Sequence, residues 1–256
     1  MAASHMPPIV VGATGGSGTR AVHGVLTAAG VYMGANLNGA GDAMDFEPLL
    51  DDAINTVIGV ARSLDYEPSA LPVALRRPLL ERLEGTIAAY RAAAPAATLR
   101  WGWKNPRSMY ILPLIAALHP DLTFIHVIRD GRDMALSDNQ NQLNKHFAAL
   151  FGRAPAEPQF ADSIRLWARA NRDVAGWGRR RLGQRYIQVR MEDLCRQPMA
   201  TLHDLFDRSG LAGDLAGVAA TIHPPSSLGR WRDLPRPRVA EMAQAGADGL
   251  AAFGYV

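Results

Sequence analysis

Phe124-Ile125-His126-Val127-Ile128-Arg129-Asp130-Gly131-Arg132-Asp133, continuing through Met134, Ala135 and Leu136 to Ser137, is the stretch on which the fold turns. Residues 122–128 form a short, β-branched and aromatic run of the kind that fills a buried parallel strand. Charge begins where the apolar run stops, and the pattern from 130 to 146 has helical spacing. An arginine at the carboxyl end of a strand and a hydroxyl two turns into the following helix can grip one phosphate. The same residues also admit a plainer reading, in which Arg129, Asp130, Arg132 and Asp133 make surface ion pairs.

Working outward, residues 8–13 (PIVVGA) repeat the buried-strand pattern and run into a glycine-rich turn. Residues 19–29 carry Val22, Val25 and Leu26 at helical spacing. A polar stretch at 30–44 reads as an ordered loop, and helices are expected at 45–60 and 73–93. A strand at 98–103 leads into Lys104-Asn105-Pro106 and a helix at 107–118. Pro155 and Pro158 interrupt the chain before a long helix at 160–181. A further strand is expected at 184–189, and the remainder is helical apart from a polar loop at 223–237. Strands alternating with helices define an α/β protein with a central, mainly parallel sheet flanked by helices. No repeat or linker divides residues 7–256, so a single domain is expected; residues 1–6 (MAASHM) read as a cloning remnant.

Composition narrows the classes. The chain has 256 residues, 48% hydrophobic and 20% charged, which excludes a disordered chain and a collagen-like repeat. Lys and Arg outnumber Asp and Glu by 27 to 24, an excess too small to argue for nucleic acid but suited to a local anion site. Lys104 and Lys145 are the only lysines. The lone Cys195 cannot form an internal disulfide and lacks zinc-ligand spacing. No apolar run approaches a membrane span, and no secretory signal is visible, so a cytoplasmic location is expected.

Gly15-Gly16-Ser17-Gly18-Thr19, between the first strand and helix, suits an anion: glycines permit the tight turn and expose successive N–H groups at a helix N-terminus. Ser17 and Thr19 add hydroxyls. Thr19 stands where a nucleoside-triphosphate loop requires lysine, which disfavours ATP or GTP hydrolysis. Three readings stay open on the loop alone. One is a dinucleotide fingerprint of the atypical short-chain reductase type, which would need a second strand soon after the first helix. Another is a loop for the phosphosulfate of a sulfuryl donor. The third is a glycine-rich turn without ligand.

The segment Arg129-Asp130-Gly131-Arg132-Asp133 with Ser137 after a hydrophobic strand resembles the RDxRDxxxS segment that holds the 3′-phosphate in sulfotransferases dependent on 3′-phosphoadenosine 5′-phosphosulfate (PAPS). Further segments agree in order: Gly15–Thr19 with the phosphosulfate loop, Trp103-Lys104-Asn105-Pro106 with the lysine segment of tyrosylprotein-type and bacterial members, Arg190-Met191-Glu192-Asp193-Leu194 with Pro198, and 226–232 (SSLGRWR) with the late loop over the nucleotide. The resemblance implies a P-loop-like three-layer fold and sulfuryl transfer from PAPS to a hydroxyl of a small-molecule or peptide acceptor. It also implies release of adenosine 3′,5′-bisphosphate (PAP), without a metal.

In that frame Gly15, Gly16, Ser17, Gly18 and Thr19 hold the 5′-phosphate with Arg20 near it, Arg129 and Ser137 hold the 3′-phosphate, and Arg230, Trp231 and Arg232 close over the nucleotide. The family usually carries Lys or Arg within the loop; here Gly16 occupies that position, and Lys104 is the substitute. Asp42 is the first candidate for the general base and Asp45 the second, with Asp45 equally suited to capping the next helix. His126 reads as a core histidine, while His23 and His146 stay open. A nucleotide-binding module that has lost catalysis is a further alternative. The acceptor's identity and the oligomeric state are not written in any motif.

Overall fold

A computed structural model of the protein describes residues 6–256. Of the stretch read as a cloning remnant, residues 1–5 lie outside the described residues; the Met6 carbonyl accepts a hydrogen bond from Trp101 Nε1 at 2.9 Å. The sheet is built of β1 (Ile9–Ala13), β2 (Gly102–Lys104), β3 (Thr123–Ile128) and β4 (Tyr186–Arg190), all parallel, in the order β2-β1-β3-β4. The four expected strands all form. Their register aligns Val10 with Trp103 and Phe124, and Ile125 with Ile187.

Side chains alternate across a pleated sheet, and the sheet uses the alternation to make two cores. Val10, Phe124, Ile128 and Tyr186 face one way; Ile9, Val11, Ala13, Ile125, Val127, Ile187 and Val189 face the other. On the second face lie α1 (Thr19–Ala28) and α9 (Pro198–Ser209), through Val22, Val25, Leu26, Leu202, Leu205 and Phe206. The first face is covered by α2 (Glu47–Ala61), α3 (Val73–Ala92), α4 (Leu112–Leu118), α6 (Asn141–Phe151) and α7 (Phe160–Leu182). Both faces being covered explains why β1 is buried at every residue and reads as a continuous apolar run. The result is a three-layer α/β fold.

Local chemistry moves several boundaries. The helix expected over 130–146 is two, α5 (Gly131–Ala135) and α6, separated by residues 136–140. Side chains there compete with the helical backbone: Ser137 Oγ accepts from Asn139 N (3.2 Å), Asn139 Oδ1 from Asn141 N (3.2 Å), and Gln140 Nε2 donates to the Ser137 carbonyl (2.6 Å). The strand expected over 98–103 shrinks to β2, with Leu99 exposed, and residues 106–111 form a 3-10 turn ahead of α4. Residues 223–237 follow α10 (Leu215–Ala220) and hold a 3-10 turn at Arg230–Asp233 before α11 (Arg236–Ala245).

The polar stretch 30–44 caps the outer edge of β2. Tyr32 N donates to the Arg100 carbonyl, Gly102 N to Tyr32, and Ala43 N to Lys104 at 2.8 Å. Covering an edge strand removes its unpaired backbone groups from competition. It also sets aside the dinucleotide reading: α1 leads into this cover, and both neighbours of β1 lie more than eighty residues further on, so no βαβ unit closes around α1.

At the junction of β3 and α5, Trp167 of α7 locks the backbone. Its Nε1 donates to the Arg129 carbonyl (3.0 Å), and its ring lies so close to Gly131 that an added Cβ would sit 2.4 Å away. Only glycine fits there. α8 (Met191–Arg196), which follows β4 directly, supplies Glu192, whose Oε1 accepts from Asp130 N at 3.0 Å.

Candidate active site

The carboxyl ends of β1, β2 and β3 open on a cleft of about 990 Å³. Ligands of open α/β sheets bind at this edge. Gly15, Gly16, Gly18, Thr19 and Arg20 line one part of it, Asp42, Asn105 and Arg107 another, and Arg129 with Ser227 a third.

The glycine loop is shaped by two left-handed residues, Gly16 (φ 81°) and Gly18 (φ 84°). A Cβ on Gly18 would also meet Met191 Sδ at 2.6 Å. Ser17 is buried: its hydroxyl donates to the Thr14 carbonyl (2.7 Å) and lies 3.2 Å from Thr14 Oγ1. Its expected contact with an anion is therefore replaced by support of the loop from beneath. Among the described residues none accepts from the N–H groups of Gly16, Gly18 or Thr19, so the donors of the helix N-terminus stay available to an anion.

Beneath the loop runs a buried polar chain that the sequence did not reveal. Tyr186 Oη lies 2.7 Å from His126 Nδ1, His126 Nε2 lies 2.9 Å from Asn171 Oδ1, and Asn171 Nδ2 donates to the Trp167 carbonyl (2.7 Å). Asn171 Oδ1 can only accept, so His126 carries its proton on Nε2 and accepts the tyrosine hydroxyl on Nδ1. Burial pushes His126 down to about 4, and burial with Arg107 and Lys145 nearby pushes His146 down to about 3. His126 is thus the core histidine expected.

The sign of the pH effect follows. Both histidines are neutral in the folded state while the unfolded chain takes up protons below about pH 6.5, so stability present above that pH falls as pH drops toward 4. Each histidine removes about 2 kcal/mol at pH 5 relative to pH 7. Urea unfolding of His146→Gln should therefore lose less stability between pH 7 and 5 than wild type, by about that amount. Parallel pH profiles would mean that His146 titrates normally.

Lys104 ends β2, fully buried and outside the cleft lining, and its Nζ donates to the carboxylate of Asp42, which does line the cleft, and to the Ala40 carbonyl at 2.6 Å. Burial draws its pKa below the ordinary lysine range, Asp42 opposes that shift, and Arg20 adds to it. The polar stretch 30–44 delivers Asp42 to the lysine: Ala43 is tied to the Lys104 carbonyl, and Asn38 Nδ2 steadies the second Asp42 oxygen at 2.9 Å. Asp45 is not brought in. It is exposed in the first turn of a 3-10 segment (Met44–Phe46), outside the cleft lining, and caps nothing through its side chain. His23 packs behind, 3.2 Å from where a Cβ on Gly41 would stand; burial lowers its pKa, Lys104 adds to that and Asp42 opposes it.

Arg129 sits at the end of β3 facing the loop. Its guanidinium donates to Asp133 Oδ2 (3.0 Å), to the Gly16 carbonyl (3.4 Å) and to Ser227, both Oγ (3.2 Å) and carbonyl. Ser137 places its Oγ 3.2 Å from where a Cβ on Gly16 would stand. The plainer reading of this motif is thus half right: Asp130 pairs with Arg132 (2.7 Å) and Asp133 with Arg129, but these pairs are largely buried.

Asp133 organises the late loop. Its Oδ2 accepts from Gly229 N (2.6 Å), its Oδ1 from Trp231 N (3.2 Å), and its carbonyl from Arg230 (3.2 Å). The Trp231 ring is approached by two guanidinium groups, Arg132 at 3.6 Å and Arg232 at 4.7 Å from its centroid. Arg230, Trp231 and Arg232 lie outside the cleft lining, where Ser227 and Pro225 stand instead. Aspartate in RD-x-RD was the available signal for this anchor; Asn105, Arg107 and Asn171 had none beyond their position in motifs or helices.

A three-layer parallel α/β fold with a donor-rich glycine loop at the carboxyl edge of its sheet and an arginine across from it has an arrangement suited to anionic ligands. The sequence model of the sulfotransferase family matches residues 7–214. The chain belongs to that family. It resembles the sulfotransferase domain of the Synechococcus olefin synthase (19% identity, 99% of this chain and 97% of that one, TM-score 0.51). It also resembles sulfotransferase STF1 of Mycobacterium tuberculosis (18%, 95% and 77%, TM-score 0.53) and STF9 of Mycobacterium avium (14%, 97% and 77%, TM-score 0.52). At these identities the likeness is one of fold. None of the curated proteins matches the chain. Among the described residues, no helix is long and apolar enough to cross a membrane, and no group of three or more His, Cys, Asp or Glu is placed to hold a metal ion.

Proposed function

We propose that the protein transfers a sulfuryl group from PAPS to an acceptor hydroxyl. The observation that carries this reading is the cleft at one sheet edge, where the free amides of the glycine loop face Arg129 and where Asp42, one of the lining residues, holds the buried Lys104 behind it. Two anionic groups on one ligand match the two cationic sides. The loop amides and Thr19 receive the 5′-phosphosulfate, and Arg129 with Ser137 receives the 3′-phosphate. Sulfuryl transfer is an in-line displacement with a loose transition state, in which positioning and neutralisation of the departing oxygen do most of the work. Lys104 supplies that charge in place of the cation missing at Gly16.

Asp42, hydrogen-bonded to Lys104 at the mouth of the cleft, is the base that takes the acceptor hydroxyl's proton. Its pairing with Lys104 in the free protein serves both groups: the carboxylate opposes the effect of burial on the lysine, and is itself held near the reacting centre. As the sulfuryl group leaves, Lys104 turns from the carboxylate to the phosphate oxygen.

Calorimetry with PAP and with NADP⁺ tests the reading. PAP is expected to bind and NADP⁺ not; tight NADP⁺ binding without PAP binding would sink it. PAP binding with no transfer over a broad acceptor panel would favour a non-catalytic module.

A further inference from the structure

We propose that the acceptor is a neutral polyhydroxylated molecule, a sugar or sugar-like polyol, and that Glu47 orients it. This rests on the sulfuryl-transfer reading above. Past Lys104 and Asp42, the cleft wall is built from the first turn of α2, the segment after β2 and the first half of α6, which bring Glu47, Arg107, Asn141 and Lys145 to its surface. Among the described residues lining the cleft there is no Phe, Tyr, Trp or Leu, whereas sites for flat apolar ligands are lined mainly by such side chains.

The charges of this wall cancel. Arg107 donates to Glu47 and to Asp51 Oδ1 (2.6 Å), and Lys145 donates to the same Asp51 oxygen (2.8 Å). Two cations face two carboxylates through direct hydrogen bonds, so this wall itself carries no net charge. What remains on this wall is a set of hydrogen-bonding groups with fixed directions, beside the apolar Met44 and Pro106.

Glu47 is the best fixed of them. It is the first residue of α2; its Oε1 accepts from Asn105 Nδ2 at 2.8 Å and its Oε2 from Arg107, while about a quarter of the side chain (27%) is exposed in the cleft. A carboxylate has roughly four accepting positions, so each oxygen keeps one for a ligand donor. Two adjacent acceptors held by buried donors match two neighbouring hydroxyls of a polyol. A phenol or sterol would cover these groups without pairing them, and a site built to bond hydroxyls rejects ligands that lack them.

The test uses protein saturated with PAP and ligand-observed NMR or calorimetry. Methyl glucoside, methyl mannoside and sucrose stand for neutral polyols, 2-naphthol for aromatic acceptors, and glucuronate and glucosamine for charged sugars. At least one neutral polyol should bind more tightly than 2-naphthol and the charged sugars. Glu47→Ala should weaken that binding about ten- to hundred-fold, the loss expected for hydrogen bonds to a charged group, while PAP affinity is retained. Glu47→Gln, which keeps the shape and one acceptor oxygen, should fall between the two and guards against a folding defect in the alanine variant. Tighter binding of 2-naphthol than of every polyol, absence of polyol binding, or polyol binding indifferent to both substitutions would overturn the proposal with the sulfuryl-transfer reading intact. Failure of the wild type to bind PAP would remove that reading and this inference with it.

Discussion

Arg129→Ala should bind PAP about ten- to hundred-fold more weakly than wild type, the loss expected when a charge-assisted phosphate contact is deleted. The guanidinium stands at the end of β3, 7% exposed, and is already aimed between Gly16 and Ser227. Arg129→Lys should recover only part of the affinity, because an ammonium cannot reproduce the fork that reaches Asp133 and a phosphate together. Arg129→Ala also leaves the Asp133 side chain, 1% exposed, with the Gly229 and Trp231 amides as its partners among the described residues. A lower melting temperature is therefore expected, and calorimetry must be done below it. Unchanged PAP affinity in the folded variant would place the 3′-phosphate elsewhere.

The second large effect is expected at Lys104. Lys104→Ala should lower turnover about hundred- to thousand-fold, the usual cost of removing one group aimed at charge that develops in the transition state. Affinity for PAP should fall much less, since the product's 5′-phosphate still has the loop amides. The split between kcat and binding is the diagnostic readout, because a general structural defect would weaken both. Removing one member of a buried ion pair also costs stability, and Asp42 would be left with Asn38 as its side-chain partner. Lys104→Met, which keeps the stem in its buried channel, separates packing from charge. If Lys104→Met retained wild-type turnover, the departing oxygen would have to be neutralised by another group, and Arg20 would be the next residue to substitute.

Much of this site was legible because its parts sit on elements with strong local signatures. Buried parallel strands read as apolar runs, and the groups that matter follow those runs directly: Gly15 after β1, Lys104 at the end of β2, Arg129 after β3. Order along the chain therefore translated into proximity at one edge. What the sequence concealed came from long-range contacts. The polar stretch that brings Asp42 to Lys104 has no periodicity of its own and is held by bonds to residues 100–104. Asp45 and Asp42 were separable only once that register was known. Arg230 and Arg232 matched a motif by type, yet the backbone is pinned so that Ser227 faces the cleft while the guanidinium groups turn toward Asp133 and Trp231. The break between α5 and α6 arose from side-chain competition that a helical apolar pattern masks.

The strand order carries a consequence for how the chain is made. β1 lies inside the sheet, yet its two neighbours are β2, nearly ninety residues later, and β3, about one hundred and ten residues later. Chain leaving the ribosome thus presents the apolar run of β1 and its glycine loop long before either partner strand exists, and parallel pairings of such separation form slowly. Fragments ending before Thr123 would hold β1 against a three-residue strand alone, and are expected to be captured by chaperones or to aggregate. The glycine loop is synthesised early and acquires its shape late, when β3 and the Asn171 side chain have arrived beneath it.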